Sequence, residues 1–153
     1  MSSSCDICLI MSDPQIKMSI IKSNHWRVVL NPNQIYLGLA WVTLESHASS
    51  ISELSDEQWS DLRFVMRRYE HAVKRAFGAK VCNWACLMNF AFKAAQPVPH
   101  VHWHVTPRYD AVVEVAGQKF HDPNFGHHYS LDGERTVDSQ AMREIVKQLK
   151  NNV

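Results

Sequence analysis

The spacing of apolar residues divides the chain into segments of two kinds. Alternation with a period of two, typical of a β-strand, covers residues 26–30, 35–42, 80–93 and 100–105. A spacing of three to four, typical of an amphipathic helix, covers residues 55–77 and 138–149. The pattern therefore predicts pairs of antiparallel strands, one long helix and a shorter C-terminal helix.

Local signals place the ends of these elements. Ser55 and Gln58 form the sequence pattern of a capping box, and Gly78 is placed to end the long helix. Asn31-Pro32-Asn33 is a turn signal between the first two strand segments, and residues 117–135 are polar and loop-like. No repeat, linker or second domain is visible, so we expect residues 1–153 to form a single domain.

Composition narrows the range of partners and compartments. The 153 residues are 46% hydrophobic, enough for a core without disulfides, so we expect the four cysteines to be reduced. Lys and Arg number 16 against 15 Asp and Glu, so no overall excess of charge points to nucleic acid or to an anionic membrane. No apolar run is long enough for a spanning helix or a signal peptide, which favours a cytoplasmic protein.

Three histidines alternate with apolar residues at His100, His102 and His104. On an extended backbone they are expected to project from one face, while Val101 and Trp103 take the other. Nine histidines in 153 residues give an expected number of about 0.03 such matches by chance. A solvated strand face, a metal site and histidine chemistry all stay open on this spacing alone.

A Cys-x-x-Cys pair, Cys5 and Cys8, lies near the N-terminus. Such a pair supplies half of a tetrahedral zinc site, and histidines are natural candidates for the other half. A thioredoxin-like redox pair would follow a strand, and none is predicted before Cys5. If residues 80–93 pair with the histidine segment, Asn83, Asn89 and Gln96 also become candidate site residues.

The segment from His100 to Thr106 resembles the signature of the histidine triad (HIT) family of nucleotide hydrolases and transferases, in which three histidines alternate with apolar residues. Further features follow in the order typical of that family, over about residues 5–108. They are the Cys-x-x-Cys pair, His47 after the second strand, the long helix, Asn89, Gln96 four residues before the triad, and Pro107-Arg108 after it.

The resemblance implies an α+β fold, in which a five-stranded antiparallel sheet packs against a long helix and a C-terminal helix, usually in a homodimer. It implies that His102 is the nucleophile that attacks the α-phosphorus of a nucleoside phosphate derivative and forms a nucleotidyl-histidine intermediate. His104 then contacts the phosphoryl oxygens and assists the leaving group. Gln96 and Asn89 donate to phosphate or leaving group, and Asn31 holds the ribose hydroxyls.

In zinc-bearing members the ligands correspond to Cys5, Cys8, His47 and His100. Two sulfurs and two nitrogens make a closed tetrahedral site, so the resemblance implies a structural zinc ion that leaves His102 free.

Several positions depart from the family pattern. Phe90-Ala91-Phe92-Lys93-Ala94-Ala95 stands where glycine and acidic residues are usual, Pro97 replaces a frequent serine or threonine, and Leu39 replaces a frequent histidine. Two alternatives therefore accompany the enzyme hypothesis: a catalytically weak, zinc-stabilised nucleotide-binding protein, and a hydrolase whose catalytic zinc is held by the strand histidines.

Overall fold

The computed structural model describes residues 5–13, 18–130 and 132–153. Its main body is a five-stranded sheet with strand order β1-β2-β3-β5-β4, in which every neighbouring pair is antiparallel. A separate two-stranded sheet is formed by β6 and β7. The bounds of the elements are α1 Asp6–Met11, β1 Ser19–Lys22, β2 Trp26–Leu30, β3 Ala40–Leu44, α2 Asp56–Phe77, β4 Val81–Ala85, β5 His102–Arg108, β6 Val113–Val115, β7 Gln118–Phe120 and α3 Ser139–Lys150. This architecture confirms the predicted α+β fold.

The long helix α2 begins and ends where its local signals predict. The Gln58 amide donates to Ser55 Oγ at 3.3 Å and the Ser55 amide donates to Gln58 Oε1 at 2.8 Å, which completes the capping box. Gly78 ends the helix with φ of 77°, a left-handed conformation that glycine adopts without a Cβ clash. The buried face of the helix consists of Leu62, Val65, Tyr69, Ala72, Val73 and Phe77.

The core lies between the sheet and the helices α2 and α3. Trp26, Val28 and Leu30 on β2 are fully buried, as are Val42 and Leu44 on β3. Burying each such side chain contributes about 1.5–3 kcal/mol. In addition, Trp26 Nε1 donates to the Gln58 carbonyl at 2.8 Å, which ties the sheet to the first turns of α2.

Two predicted strands are too long. The segment predicted as a strand over 35–42 forms turns up to Leu39, whose amide donates to the Tyr36 carbonyl at 2.9 Å, and pairing begins at Ala40. The strand predicted over 80–93 is wrong beyond Ala85, where pairing with β5 stops, and Asn89–Lys93 forms a 3₁₀ turn. Alternation continues through Phe90 and Phe92, but both side chains are exposed and no sheet partner holds this segment extended.

The C-terminal part is more regular than its composition indicates. The segment 117–135 predicted as a loop contains β7, joined to β6 by Ala116 and Gly117, both with positive φ as a type I′ turn requires. Arg108 at the end of β5 forms a buried ion pair with Asp122, with Nε to Oδ2 at 2.6 Å and Nη2 to Oδ1 at 3.1 Å. This pair fastens the segment after β7 onto the sheet.

No helix in the described part of the chain is both long and apolar enough to cross a membrane.

Candidate functional site

The middle and last histidines of the triad lie side by side on β5. His102 and His104 stand opposite Thr43 and Trp41 of β3, and directly opposed residues share a face of the sheet. The two imidazole centroids are 5.1 Å apart, and both side chains are partly buried. One face at the start of β5 therefore presents two neighbouring imidazoles.

His100 differs from the other two because it precedes β5, which begins at His102. The strand that was expected to include all three histidines therefore begins two residues later, at His102. Its side chain is only 2% exposed, and its Nε2 lies 2.8 Å from the Leu44 carbonyl. Since a carbonyl only accepts, Nε2 carries the proton and the lone pair resides on Nδ1.

The lone pair of His100 Nδ1 is directed toward the Cys-x-x-Cys pair. Nδ1 lies 3.4 Å from Cys5 Sγ and 3.4 Å from Cys8 Sγ, while Cys8 Sγ lies 3.6 Å from His47 Nδ1. All four potential ligand atoms lie within 4.8 Å of one another. Zinc bond lengths of about 2.0–2.3 Å place the ligand atoms of a tetrahedral site about 3.3–3.8 Å apart. The donor set and these interatomic distances therefore fit zinc.

The surroundings of this cluster hold the ligands in place. Cys5 is the N-cap of α1, and the Cys8 amide donates to its sulfur at 3.5 Å. Arg27 pairs with Glu45 at 2.7 Å and donates to the Met11 carbonyl at 3.2 Å, so the end of α1 is tied to β2. Burial raises the pKa of the Cys8 thiol, and the neighbouring Cys5 raises it further. Two thiols beside two imidazoles form a set of potential metal ligands.

A hydrogen bond to the main-chain carbonyl of His100 connects this cluster to His102. His102 Nδ1 lies 2.8 Å from the carbonyl of His100, so Nδ1 donates and the lone pair of His102 resides on Nε2. His100 thus contacts the thiols through its side chain and fixes the His102 tautomer through its backbone.

The surroundings of His104 favour its neutral form. Burial lowers its pKa below the ordinary value, His102 lowers it further, and a hydrogen bond to the Leu87 backbone carbonyl offsets part of that shift. Burial also raises the pKa of the Cys86 thiol, which a hydrogen bond from the His102 backbone partly offsets. Both catalytic candidates therefore contact the chain immediately after β4.

Of the other predicted site residues, Asn31, Asn89 and Gln96 lie outside the sheet strands, and Asn83 lies on β4. Asn89 begins the exposed 3₁₀ turn, and Gln96 is exposed in the segment before the triad. Asn31 follows β2, and its Oδ1 accepts from the Asn33 amide at 2.8 Å, so this oxygen caps its own turn. Asn83 is paired with Thr106 on the sheet, and its Oδ1 accepts from Arg108 at 3.3 Å.

The contacts that sequence reasoning missed are mainly backbone contacts. The carbonyls of Leu44, Leu87 and His100 orient the three imidazoles, and a backbone carbonyl has no sequence signature. Trp41 lies beside His104, and the sequence does not predict this contact because the register of β3 against β5 has no local signal.

The fold and the site together define a histidine triad protein with a Cys₂His₂ cluster. The chain belongs to the HIT domain family, since the family model described as HIT domain matches residues 14–111. It is 26% identical over 105 residues to the "Protein hit" of Bacillus subtilis (strain 168), covering 69% of this chain and 71% of that protein. Membership in this family supports a nucleotide hydrolase or transferase in general.

Solved structures share the fold. A zinc-bound histidine triad family protein from Mycobacterium smegmatis superposes with a TM-score of 0.64 at 24% identity, covering 97% of this chain and 94% of the other. A HIT family protein from Bacillus anthracis gives a TM-score of 0.62 at 21% identity, covering 100% of this chain and 99% of the other.

Proposed function

We propose that this protein is a hydrolase or nucleotidyl transferase that cleaves the bond between the α-phosphorus of a nucleoside phosphate derivative and its leaving group, through a nucleotidyl intermediate on His102. The substrate classes are phosphoramidates, dinucleoside polyphosphates and adenylylated amines. The observation that carries the proposal is the 2.8 Å contact between His102 Nδ1 and the His100 carbonyl, because it leaves the Nε2 lone pair available for attack.

The chemistry runs in two displacements. His102 Nε2 forms a bond to the α-phosphorus, and the bond to the leaving group breaks, with its electron pair going to the departing oxygen or nitrogen. Water or another acceptor then displaces His102 from phosphorus. A neutral imidazole suits both steps, because it is nucleophilic near pH 7 and departs readily when the acceptor attacks.

Side chains near His102 would contact the phosphate, the leaving group and the ribose of the same substrate. His104, whose ring centroid is 5.1 Å from that of His102, contacts the phosphoryl oxygens and assists the leaving group. Gln96 and Asn89 donate to phosphate or leaving group, and Asn31 holds the ribose hydroxyls. For these three the family resemblance supplies the assignment, and the amide groups are of the right chemistry to donate without adding charge.

Cys5, Cys8, His47 and His100 would hold a structural zinc ion. When bound, zinc would supply a closed tetrahedral cross-link among α1, the loop after β3 and the triad segment, with no position left for substrate. The 3.4–3.6 Å spacings support this assignment. His100 would then be anchored on both ring nitrogens, so its carbonyl keeps a fixed position for the His102 ring.

We further expect that the chain forms a single domain and that two copies form a homodimer with contacts through α2 and the edge strand β4. Strand β4 occupies one end of the sheet, and within the described residues no further strand pairs with its outer edge, which supports pairing with a second copy. Sedimentation of the purified chain at micromolar concentration tests this point directly.

Capture of the intermediate tests the proposed function. Wild-type protein mixed with an adenosine phosphoramidate and quenched within a turnover is expected to carry one AMP on His102 in peptide mapping. The His102→Ala variant should carry none, and His71→Ala, an exposed histidine on α2, should carry the wild-type amount. An adduct on another residue contradicts the assignment, and tight AMP binding without turnover favours the weak nucleotide-binding alternative.

A further inference from the structure

We propose that the turn Asn89–Lys93 forms a subsite for the leaving half of the substrate, and that this subsite favours leaving groups that are themselves nucleoside phosphates. The inference rests on the proposed function, because it places the leaving group beside His104. It assigns the substrate class as dinucleoside polyphosphates. The residues that carry it are Phe90, Phe92 and Lys93.

The turn lies close to the two catalytic histidines. The Leu87 carbonyl bonds His104, and the His102 backbone bonds the thiol of Cys86. Phe90 follows Leu87 by three residues, and three residues of chain span at most about 11 Å. A single nucleotide is therefore long enough to extend from the His104 imidazole to the backbone of the turn.

Two aromatic side chains of this turn face solvent. Phe90 is 76% exposed and Phe92 is 66% exposed, the highest values among the large hydrophobic side chains that the structure describes. Leaving two phenylalanines in water forgoes the burial that stabilises others in the core. A partner that covers them during function accounts for their presence, and the flat faces of nucleobases stack on such rings.

A cation accompanies the rings. Lys93 Nζ lies 4.6 Å from the centroid of the Phe90 ring. Within the described residues its ammonium has no carboxylate within ion-pair distance, and residues 81–109 contain no Asp or Glu. Aromatic faces next to an unpaired ammonium match a nucleoside phosphate, which offers a base to stack and an anionic chain to pair.

The chemistry of the first displacement favours the same class. When His102 attacks the α-phosphorus of a dinucleoside polyphosphate, the phosphorus–oxygen bond to the second nucleotide breaks and the electron pair stays on the departing phosphate oxygen. The leaving nucleotide thereby gains negative charge close to Lys93, which stabilises it electrostatically. Ammonia leaving from a phosphoramidate has neither a base nor a phosphate and gains nothing from the turn.

A substrate comparison tests the inference. We would measure kcat/KM for diadenosine tetraphosphate and for adenosine phosphoramidate, in wild type and in a Phe90→Ser/Lys93→Met variant, with Phe92→Ser measured separately. We expect the double variant to lower kcat/KM for the tetraphosphate about tenfold or more, with a change below about twofold for the phosphoramidate. The matched control is Phe64→Ser/Arg68→Met on α2, an exposed phenylalanine with Arg68 5.3 Å from its ring centroid. It should leave the ratio of the two kcat/KM values unchanged, and its sedimentation coefficient is measured as well because α2 belongs to the proposed dimer contact.

A binding measurement separates failure of the subsite from failure of the proposed function. Calorimetry with a methylene-bridged, non-hydrolysable diadenosine tetraphosphate and with AMP gives two dissociation constants. We expect wild type to bind the bridged analogue about tenfold tighter than AMP, and the double variant to lose that advantage. If no substrate is hydrolysed, but wild type still binds the bridged analogue more tightly than AMP and the double variant does not, the catalytic proposal is wrong and the proposed subsite is supported.

Other outcomes overturn the subsite. If the analogue binds no tighter than AMP, or if the variant loses both substrates equally, the turn does not recognise the leaving nucleotide, even when the phosphoramidate is hydrolysed. If the variant instead shifts the sedimentation coefficient toward a smaller species and leaves substrate preference unchanged, the two phenylalanines cover an interface between copies of the chain.

Discussion

The two ends of the histidine triad occupy opposite environments although they are only four residues apart. His100 is 2% exposed, precedes the strand, and is held through a carbonyl on one ring nitrogen and two thiols at the other. His102 and His104 lie within the strand and are only partly buried. Under the proposed function, this one sequence motif would serve two tasks: its first histidine would hold the metal, and the next two would carry out the chemistry.

The largest expected effect comes from removing the nucleophile. His102→Ala should lower kcat by about 10³-fold or more, because no other group in the proposed mechanism forms the covalent intermediate. The melting temperature and the dissociation constant for AMP should change little, since the side chain is partly buried and outside the hydrophobic core. A kcat within tenfold of wild type would remove His102 from its role.

The second effect concerns the scaffold end. Cys5→Ser/Cys8→Ser should release the metal and lower the melting temperature on the order of 10 °C, because ligand binding to a closed site is coupled to folding. Turnover should fall only in part, through a looser His100 carbonyl. Cys82→Ser, which alters a cysteine outside the cluster, is the control for metal content. Activity that falls in strict proportion to metal, at unchanged stability, would favour a catalytic zinc.

A third prediction probes the ribose end of the site. Asn31→Ala should raise KM about fivefold with kcat nearly unchanged, because hydrogen bonds remote from the reacting phosphorus act alike in the ground and transition states. It should also lower the stability by about 1 kcal/mol, since Oδ1 caps the turn at 2.8 Å. Asn31→Asp keeps the acceptor and is expected to restore both values. A fall in kcat at constant KM places Asn31 elsewhere in the mechanism.

The smallest effect is a dependence of stability on pH. Burial lowers the pKa of His104 in the folded state, so the unfolded chain binds more protons near pH 6 and stability rises with pH there. The contribution of neutral His104 to the stability of the folded state is complete above the ordinary histidine pKa of about 6.5. It is lost as the pH falls through the lower pKa that His104 has in the folded state. Between pH 7.5 and pH 5.5 the melting temperature of the zinc-saturated wild type should fall by more than that of the zinc-saturated His104→Gln variant. Equal losses would show that His104 is not responsible.

The elements with local signals could be predicted from the sequence. The capping box and Gly78 set the ends of α2 because each acts through neighbouring residues. Strand ends could not be predicted in the same way. Alternation through Phe92 indicated a strand to Lys93, whereas pairing with β5 ends at Ala85, and only the partner strand decides that. Strand β1 was missed as a pattern because Ser19–Lys22 is only four residues long.

In the candidate site, too, the features with a local sequence signal could be predicted and those that depend on strand pairing could not. Two thiols three residues apart predicted half of a metal site from spacing alone, and the family resemblance supplied His47 and His100, which the structure brings within 4.8 Å of both sulfurs. The carbonyls of Leu44 and Leu87, which orient His100 and His104, could not be predicted, since they depend on how β3 and β4 pair with β5. The same holds for the ion pair between Arg108 and Asp122, which the fold joins across 14 residues.

The central claim is that the triad is split between a metal-bound first histidine and a metal-free nucleophile. X-ray absorption at the zinc edge of purified wild-type protein tests it most directly. The account predicts one zinc per chain with two sulfur ligands at about 2.3 Å and two nitrogen ligands at about 2.0–2.1 Å. A first shell of nitrogen and oxygen alone, unchanged in Cys5→Ser/Cys8→Ser, would contradict it, because His102 and His104 would then be ligands.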